Sequence, residues 1–264
     1  MVVLLLTACG GANDETLLDE LRVLSMLPQA PEIAPGETTT IDVRIVDPDA
    51  VGYRALVWTC TRLGEDCLED EEGRSPALAT VADGRAAVPV TASMALAAVA
   101  SDSPLPLVSV WALACAADAC PLLDDVERGD TIDADVWADP TDWMSDLPIE
   151  GTSLALASVQ VSTRSADTRH ANPTITVSPE APSVKPGGSV EVEVTITGEL
   201  GSEARVWGYA TAGGFERPSD RPNARLEARL DWIAPDAAGS ADGFLLLVDD
   251  EGGGALWEGP LTAE

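Results

Sequence analysis

Two stretches of the chain alternate between apolar and polar residues, and each follows a proline-rich opening. In the first, Ile41, Val43 and Ile45 are separated by Asp42 and Arg44; in the second, Val190, Val192, Val194 and Ile196 are separated by Glu191, Glu193 and Thr195. A period of two marks a strand with one buried face. The openings repeat as well. Pro28-Gln29-Ala30-Pro31-Glu32-Ile33-Ala34-Pro35-Gly36 matches Pro179-Glu180-Ala181-Pro182-Ser183-Val184-Lys185-Pro186-Gly187, with prolines, alanine and glycine in register. One hairpin later each copy reaches a tryptophan, Trp58 in Ala55-Leu56-Val57-Trp58-Thr59-Cys60 and Trp207 in Ala204-Arg205-Val206-Trp207-Gly208-Tyr209. Two copies of one domain account for all of this.

The second copy continues through an alternating run, Arg225 to Pro235, and a strand from Phe244 to Val248. The glycine-rich turn Asp249 to Gly254 then leads into a closing strand, Ala255 to Leu261. The first copy is longer. It carries an acidic loop from Gly64 to Arg74, an alanine-rich run from Ala92 to Ala100 that predicts a short helix, and an acidic excursion from Pro121 to Gly151. Its later strands are expected at Leu107 to Cys115 and Leu154 to Val161, and Ser162 to Asn172 reads as a polar linker.

A Pro-Gly turn, an alternating strand, a hairpin and a strand carrying tryptophan resemble the start of an immunoglobulin-like or fibronectin-like sandwich. That resemblance implies an all-β chain of two tandem immunoglobulin-like β-sandwich domains, the first with long acidic insertions. It also implies that Trp58 and Trp207, on strand C of each copy, fill the space between sheets as core residues. The inter-sheet cysteine pair of antibody domains is missing, so the likeness is to the wider sandwich class.

The first residues point elsewhere. Val2 to Leu6 is a short apolar run, and Leu6-Thr7-Ala8-Cys9 resembles a bacterial lipobox, in which the cysteine is lipidated and becomes the first residue of the mature protein. On that resemblance residues 1–8 are a signal peptide, Cys9 is the lipidation site, and residues 9–20, small and acidic, are a tether. The sandwiches then occupy 21–164 and 173–264, with 165–172 as linker. The run is far short of the ~20 apolar residues of a membrane span. Gly10 stands where an aspartate resembles an inner-membrane retention signal, so the expected location is the outer membrane. The whole arrangement resembles a class of Gram-negative envelope lipoproteins with paired immunoglobulin-like domains.

Charge narrows the partners. Forty-five acidic residues against 15 basic give a formal net charge of -30, which excludes nucleic acid as a natural partner. Of five cysteines, removing Cys9 leaves Cys60, Cys67, Cys115 and Cys120, the even count that two disulfides need. Their spacings, C-x6-C and C-x4-C, are not those of a zinc knuckle. If Cys60 ends strand C and Cys115 ends strand F, those antiparallel neighbours put the two residues at opposite ends of the sandwich. Strands of this length span about 17 to 20 Å, against the ~7 Å limit of a disulfide. The expected pairs are Cys60 with Cys67 and Cys115 with Cys120.

Candidate chemistry is sparse. The only histidine, His170, falls in the linker, and no G-x-S-x-G, H-E-x-x-H or phosphate loop is present. Asp124, Asp125, Glu127, Asp130, Asp133, Asp135 and Asp139 crowd one excursion and raise calcium, but no stretch fits an EF-hand loop, and a solvated acidic surface is the favoured reading. No cofactor, metal or catalytic residue is assigned. The expectation is a non-enzymatic envelope protein, anchored to the membrane by lipid, whose sandwiches act as a spacer and a recognition module for an envelope protein or glycan. The rival is a carboxylate-based hydrolase or glycan-processing enzyme on the first domain, which would require a concave pocket of convergent carboxylates.

Overall fold

The computed structural model describes residues 16–49, 52–60, 77–78, 81–98, 100, 104–116, 124, 128 and 152–264. They form two compact units, one running from Glu20 to His170, the other from Ala171 to Glu264 together with Thr16–Asp19. The division between His170 and Ala171 falls inside the expected linker.

The first unit contains β1 (Arg22–Pro28), β2 (Glu32–Ile33), β3 (Thr38–Val46), β4 (Tyr53–Cys60), β5 (Ala77–Leu78), β6 (Arg85–Thr91), β7 (Leu105–Ala116) and β8 (Thr152–Val161). They make two sheets, β1-β3-β6 and β2-β8-β7-β4-β5. Ile41, Val43 and Ile45 of the first sheet pack with Val57, Val110 and Val159 of the second in one buried cluster. Burying each such side chain stabilises the fold by roughly 1.5–3 kcal/mol. The alanine-rich run forms a five-residue 3-10 turn, Met94–Ala98.

The second unit repeats the plan with β9 (Thr174–Ser178), β10 (Ser183–Val184), β11 (Ser189–Thr197), β12 (Arg205–Ala210), β13 (Gly214–Phe215), β14 (Ser219–Asp220), β15 (Glu227–Ile233), β16 (Gly239–Val248) and β17 (Gly254–Ala263). Its sheets are β9-β11-β15-β13 and β10-β17-β16-β12-β14. Val192, Val194 and Ile196 meet Val206, Leu245 and Leu247 across the core. Equivalence reaches the details. The two-residue strand after each proline-rich opening runs parallel to the last strand of its unit: Ile33 lies opposite Val161, and Val184 opposite Ala263. Gly36 and Gly187 both sit at positive φ, 85° and 70°, where a Cβ is strained. Their amides donate to Ala92 O at 2.8 Å and Pro235 O at 3.0 Å. Both units are immunoglobulin-like sandwiches in an all-β chain.

The tryptophans depart from expectation. Ala55 and Val57 of β4 belong to the core cluster, so Trp58, at the opposite parity, lies on the outer face of its sheet. It is buried there, stacked on its cross-strand partner Trp111 with ring centroids 6.1 Å apart and planes 8° from parallel. Trp207 likewise points away from the core side of β12, which Val206 and Ala210 occupy. The core tryptophan of the second unit is Trp232 of β15, fully buried, its Nε1 donating to Ala212 O at 3.3 Å. Gly208, flanking Trp207, leaves room for the Phe215 ring, which a Cβ would approach to 2.8 Å.

The expected tether also ends early. Thr16 and Leu18 are buried, and Ala210 N donates to Thr16 O at 2.9 Å while Leu18 N donates to Ala210 O at 2.8 Å. Residues 9–15 of the tether, Cys9 among them, and Met1 to Ala8 lie outside the described residues, as do the loop Gly64 to Arg74 and most of the excursion Pro121 to Gly151.

Candidate functional site

Two polar arrangements stand out, one in each unit. The first is built around Glu32, whose residue is 2% exposed. It enters a buried position because β2 must pair with β8, which sets Glu32 opposite Gln160. A buried carboxylate is costly unless its oxygens are hydrogen-bonded. Ser162 Oγ donates to Oε1, His170 N donates to Oε2 at 2.9 Å, and Arg164 Nε lies 3.5 Å from Oε1. Next to it, Glu37 Oε2 accepts from Ala34 N at 2.9 Å and pairs with Arg169. The Ala34 amide, and then Arg169, hold the Glu37 carboxyl below the usual glutamate range.

Serine, histidine and glutamate thus meet at one place, but not as a catalytic triad. The bond from His170 comes from its main-chain amide, and the Ser162 hydroxyl is fully buried and donates to a carboxylate. A triad needs the imidazole to take the proton of an accessible hydroxyl. What the arrangement does is fix the chain from Val161 to His170 against the first sandwich. The sequence placed His170 in a polar linker; the structure shows that segment docked, because each stretch of it supplies a donor to Glu32 or Glu37.

The second arrangement joins two loops at one end of the second sandwich. Asp249 opens the turn between β16 and β17, and its Oδ1 accepts from Glu251 N at 3.0 Å and Gly253 N at 2.8 Å. Its Oδ2 reaches across to Gly201 N at 3.3 Å, in the loop between β11 and β12. Asp250 completes the link, accepting from Ser202 Oγ at 2.8 Å and Glu203 N at 3.1 Å. Chiefly through the Glu203 amide, the Asp250 carboxyl is held below the usual aspartate range. Glu203 in turn pairs with Arg221. In a sandwich of this kind these two loops neighbour each other at one end and serve binding in variable domains. The punctuation Asp-Asp-Glu-Gly-Gly-Gly announced the turn, but nothing in the sequence linked it to Gly201–Glu203.

In the first unit the same turn position, between β7 and β8, is occupied by residues 117–151. Of the seven acids considered there for calcium, Asp124 alone is described, and it pairs with Arg54 at 2.7 Å. Among the described residues no group of three or more metal-ligating side chains converges. Of the expected disulfide cysteines, Cys67 and Cys120 lie outside the described residues, with Cys9. Cys60 stands opposite Ser109, and Cys115 opposite Arg54, on antiparallel strands. Six residue steps separate them, roughly 20 Å, so they do not bridge each other. Cys115 is fully buried.

No protein-family model and no curated protein matches the chain. Among solved structures it is similar to a conjugative transposon lipoprotein from Bacteroides eggerthii, at 17% identity over 34% of this chain and 95% of that one, with a TM-score of 0.27. It is also similar to the D0-D1 domain of intimin, at 10% identity over 90% of this chain and 98% of that one, TM-score 0.27. A chimeric titin Z1Z2 is 14% identical over 91% of this chain and 96% of that one, TM-score 0.26. Likeness at this level carries no argument about function, and the immunoglobulin-like architecture rests on the strand pairing.

Proposed function

We propose that this chain is a non-enzymatic, lipid-anchored protein of the cell envelope whose two sandwiches serve as a spacer and as a recognition module for a protein or glycan. The observation that carries the recognition half is the lock between Gly201–Glu203 and Asp249–Gly253. Loops already held in one conformation lose less entropy on binding, which is how preorganised binding surfaces gain affinity. The 117–151 insertion stands at the same turn of the first sandwich in sequence, and its acidic composition selects for a partner that presents cationic groups. The anchor half is supported by Leu6-Thr7-Ala8-Cys9, and outer-membrane placement by Gly10.

The test has two arms. Cells fed an alkyne fatty acid should label the wild-type chain and not Cys9→Ser; equal labelling of both removes the anchor. Cross-linked envelopes should yield a partner with the wild type that is lost when Pro121 to Gly151 is replaced by a short Gly-Ser turn, or when Asp250→Ala unlocks the second loop pair. Retention of the same partner by both variants contradicts recognition at these loops.

A further inference from the structure

The last part of the expected tether, from Thr16 to Leu18, is not free chain. Leu17 forms a parallel bridge with Ala210 at the end of β12, through the two main-chain bonds of Thr16 and Leu18 to Ala210. Thr16 adds a third tie, its Oγ1 accepting from Phe215 N at 3.0 Å. Since β12 belongs to one sheet and β13, which contains Phe215, to the other, three residues stitch both layers of the C-terminal sandwich. Leu18 is 1% exposed, whereas Asp19 and Glu20 are exposed. The step from buried Leu18 to exposed Asp19 falls where the chain passes into the other unit.

We propose that Thr16–Leu18 is an edge strand of the C-terminal sandwich, and that it makes this sandwich, the one farther along the sequence, the part of the protein tied directly to the lipid surface. The proposal rests on the lipid-anchor reading of Cys9. From Cys9 to Thr16 is seven residues, which reach at most about 25 Å even fully extended. A free tether ending at Glu20 would attach the membrane to the first sandwich and leave the second bound only through it. With the strand docked, the short leash is on the second sandwich.

Two insertions separate these arrangements without interrupting Thr16–Leu18. The full lipidated chain, carrying a donor fluorophore at exposed Asp242, is reconstituted in phosphatidylethanolamine and phosphatidylglycerol vesicles with an acceptor on the headgroups. A 24-residue Gly-Ser insert, about 27 Å in r.m.s. span, is placed either between Ala12 and Asn13 or between Asp19 and Glu20. The insert ahead of the strand should lower energy transfer at least twofold, and the insert after it should leave transfer unchanged. Equal losses from both overturn the proposal. Fatty-acid labelling and amide exchange on the same samples keep the two readings apart. An unlabelled chain with protected Leu18 and Ala210 amides overturns the anchor, and the membrane half of the proposal with it, but leaves the strand standing. A labelled chain in which these amides exchange freely overturns the strand.

Discussion

At the end of the first sandwich a carboxylate on β2 accepts from a hydroxyl just past β8; at the end of the second, a hydroxyl on β10 donates to a carboxylate just past β17. The pairs are Glu32 with Ser162 and Ser183 with Glu264, the latter at 2.7 Å. The same main-chain bonds surround them: Ser162 N to Ile33 O at 3.1 Å, and Glu264 N to Val184 O at 2.9 Å. Side chains have exchanged places across an otherwise identical pairing. The environments differ, however. Glu32 is buried under the segment that runs on to His170, while Ser183 and Glu264 are exposed. A charge is worth burying only where several donors converge, and in the first sandwich the continuing chain supplies them. The duplicated backbone sets the position, and in the first sandwich the donors of Ser162, Arg164 and His170 let it hold a buried carboxylate.

The largest expected effect separates the cores. Trp232→Ala should destabilise the second sandwich by about 3–5 kcal/mol, in the range of buried tryptophan deletions, whereas Trp207→Ala on the outer face should cost about 1 kcal/mol or less. Urea titration followed by fluorescence reads both, and the reverse order would restore Trp207 to the core. Glu32→Ala comes next. Removing the carboxylate takes away the acceptor of the buried Ser162 hydroxyl and of the His170 amide, for a loss of about 3 kcal/mol confined to the first sandwich. Its counterpart Ser183→Ala breaks an exposed bond and should cost under about 1 kcal/mol; equal losses would mean that the two pairs do not differ in burial.

Smaller effects should be shared. Gly36→Ala and Gly187→Ala both place a Cβ at positive φ and should each cost about 1–2 kcal/mol, visible as similar drops in melting temperature of the two sandwiches. Smallest is the response to acid. Glu37 and Asp250 both have folded-state pKa values below their ordinary 4.5 and 3.8. Each therefore contributes stability that is complete above the ordinary value and is lost as pH falls through the depressed one. Both carboxylates are largely exposed, so the loss should be under about 1 kcal/mol each. Melting curves from pH 5 to pH 3 on wild type, Glu37→Gln and Asp250→Asn check it: the variants should have lost their share already at pH 5.

The strands that carry a clean alternation were legible in the sequence, and Ile41 to Ile45 and Val192 to Ile196 face the cores as read. Tryptophan facing was not legible, because Ala55-Leu56-Val57-Trp58 is apolar at every position and sets no parity when both faces of the strand are buried. The repeat of the proline-rich openings was legible, but the parallel pairing it produces was not, since two-residue strands leave no periodicity. For the site, the turn at Asp249 was visible as punctuation, while its bonds to Gly201 and Glu203 depend on a contact between loops some 48 residues apart. The docking of Thr16–Leu18 on Ala210 was invisible for the same reason, and small acidic residues ahead of it read as tether. That Cys60 and Cys115 are far apart followed correctly from strand order alone. The partners of those cysteines remain a prediction, checked by non-reducing peptide mapping, which should join Cys60 to Cys67 and Cys115 to Cys120.

Two sandwiches of one pattern, each with its own core, form the described part of the chain. Calorimetry of the full chain tests this most directly, with wild type, Glu32→Ala and Trp232→Ala measured side by side. Two transitions are predicted, one lowered only by Glu32→Ala and the other only by Trp232→Ala. A single transition moved by either substitution would contradict it.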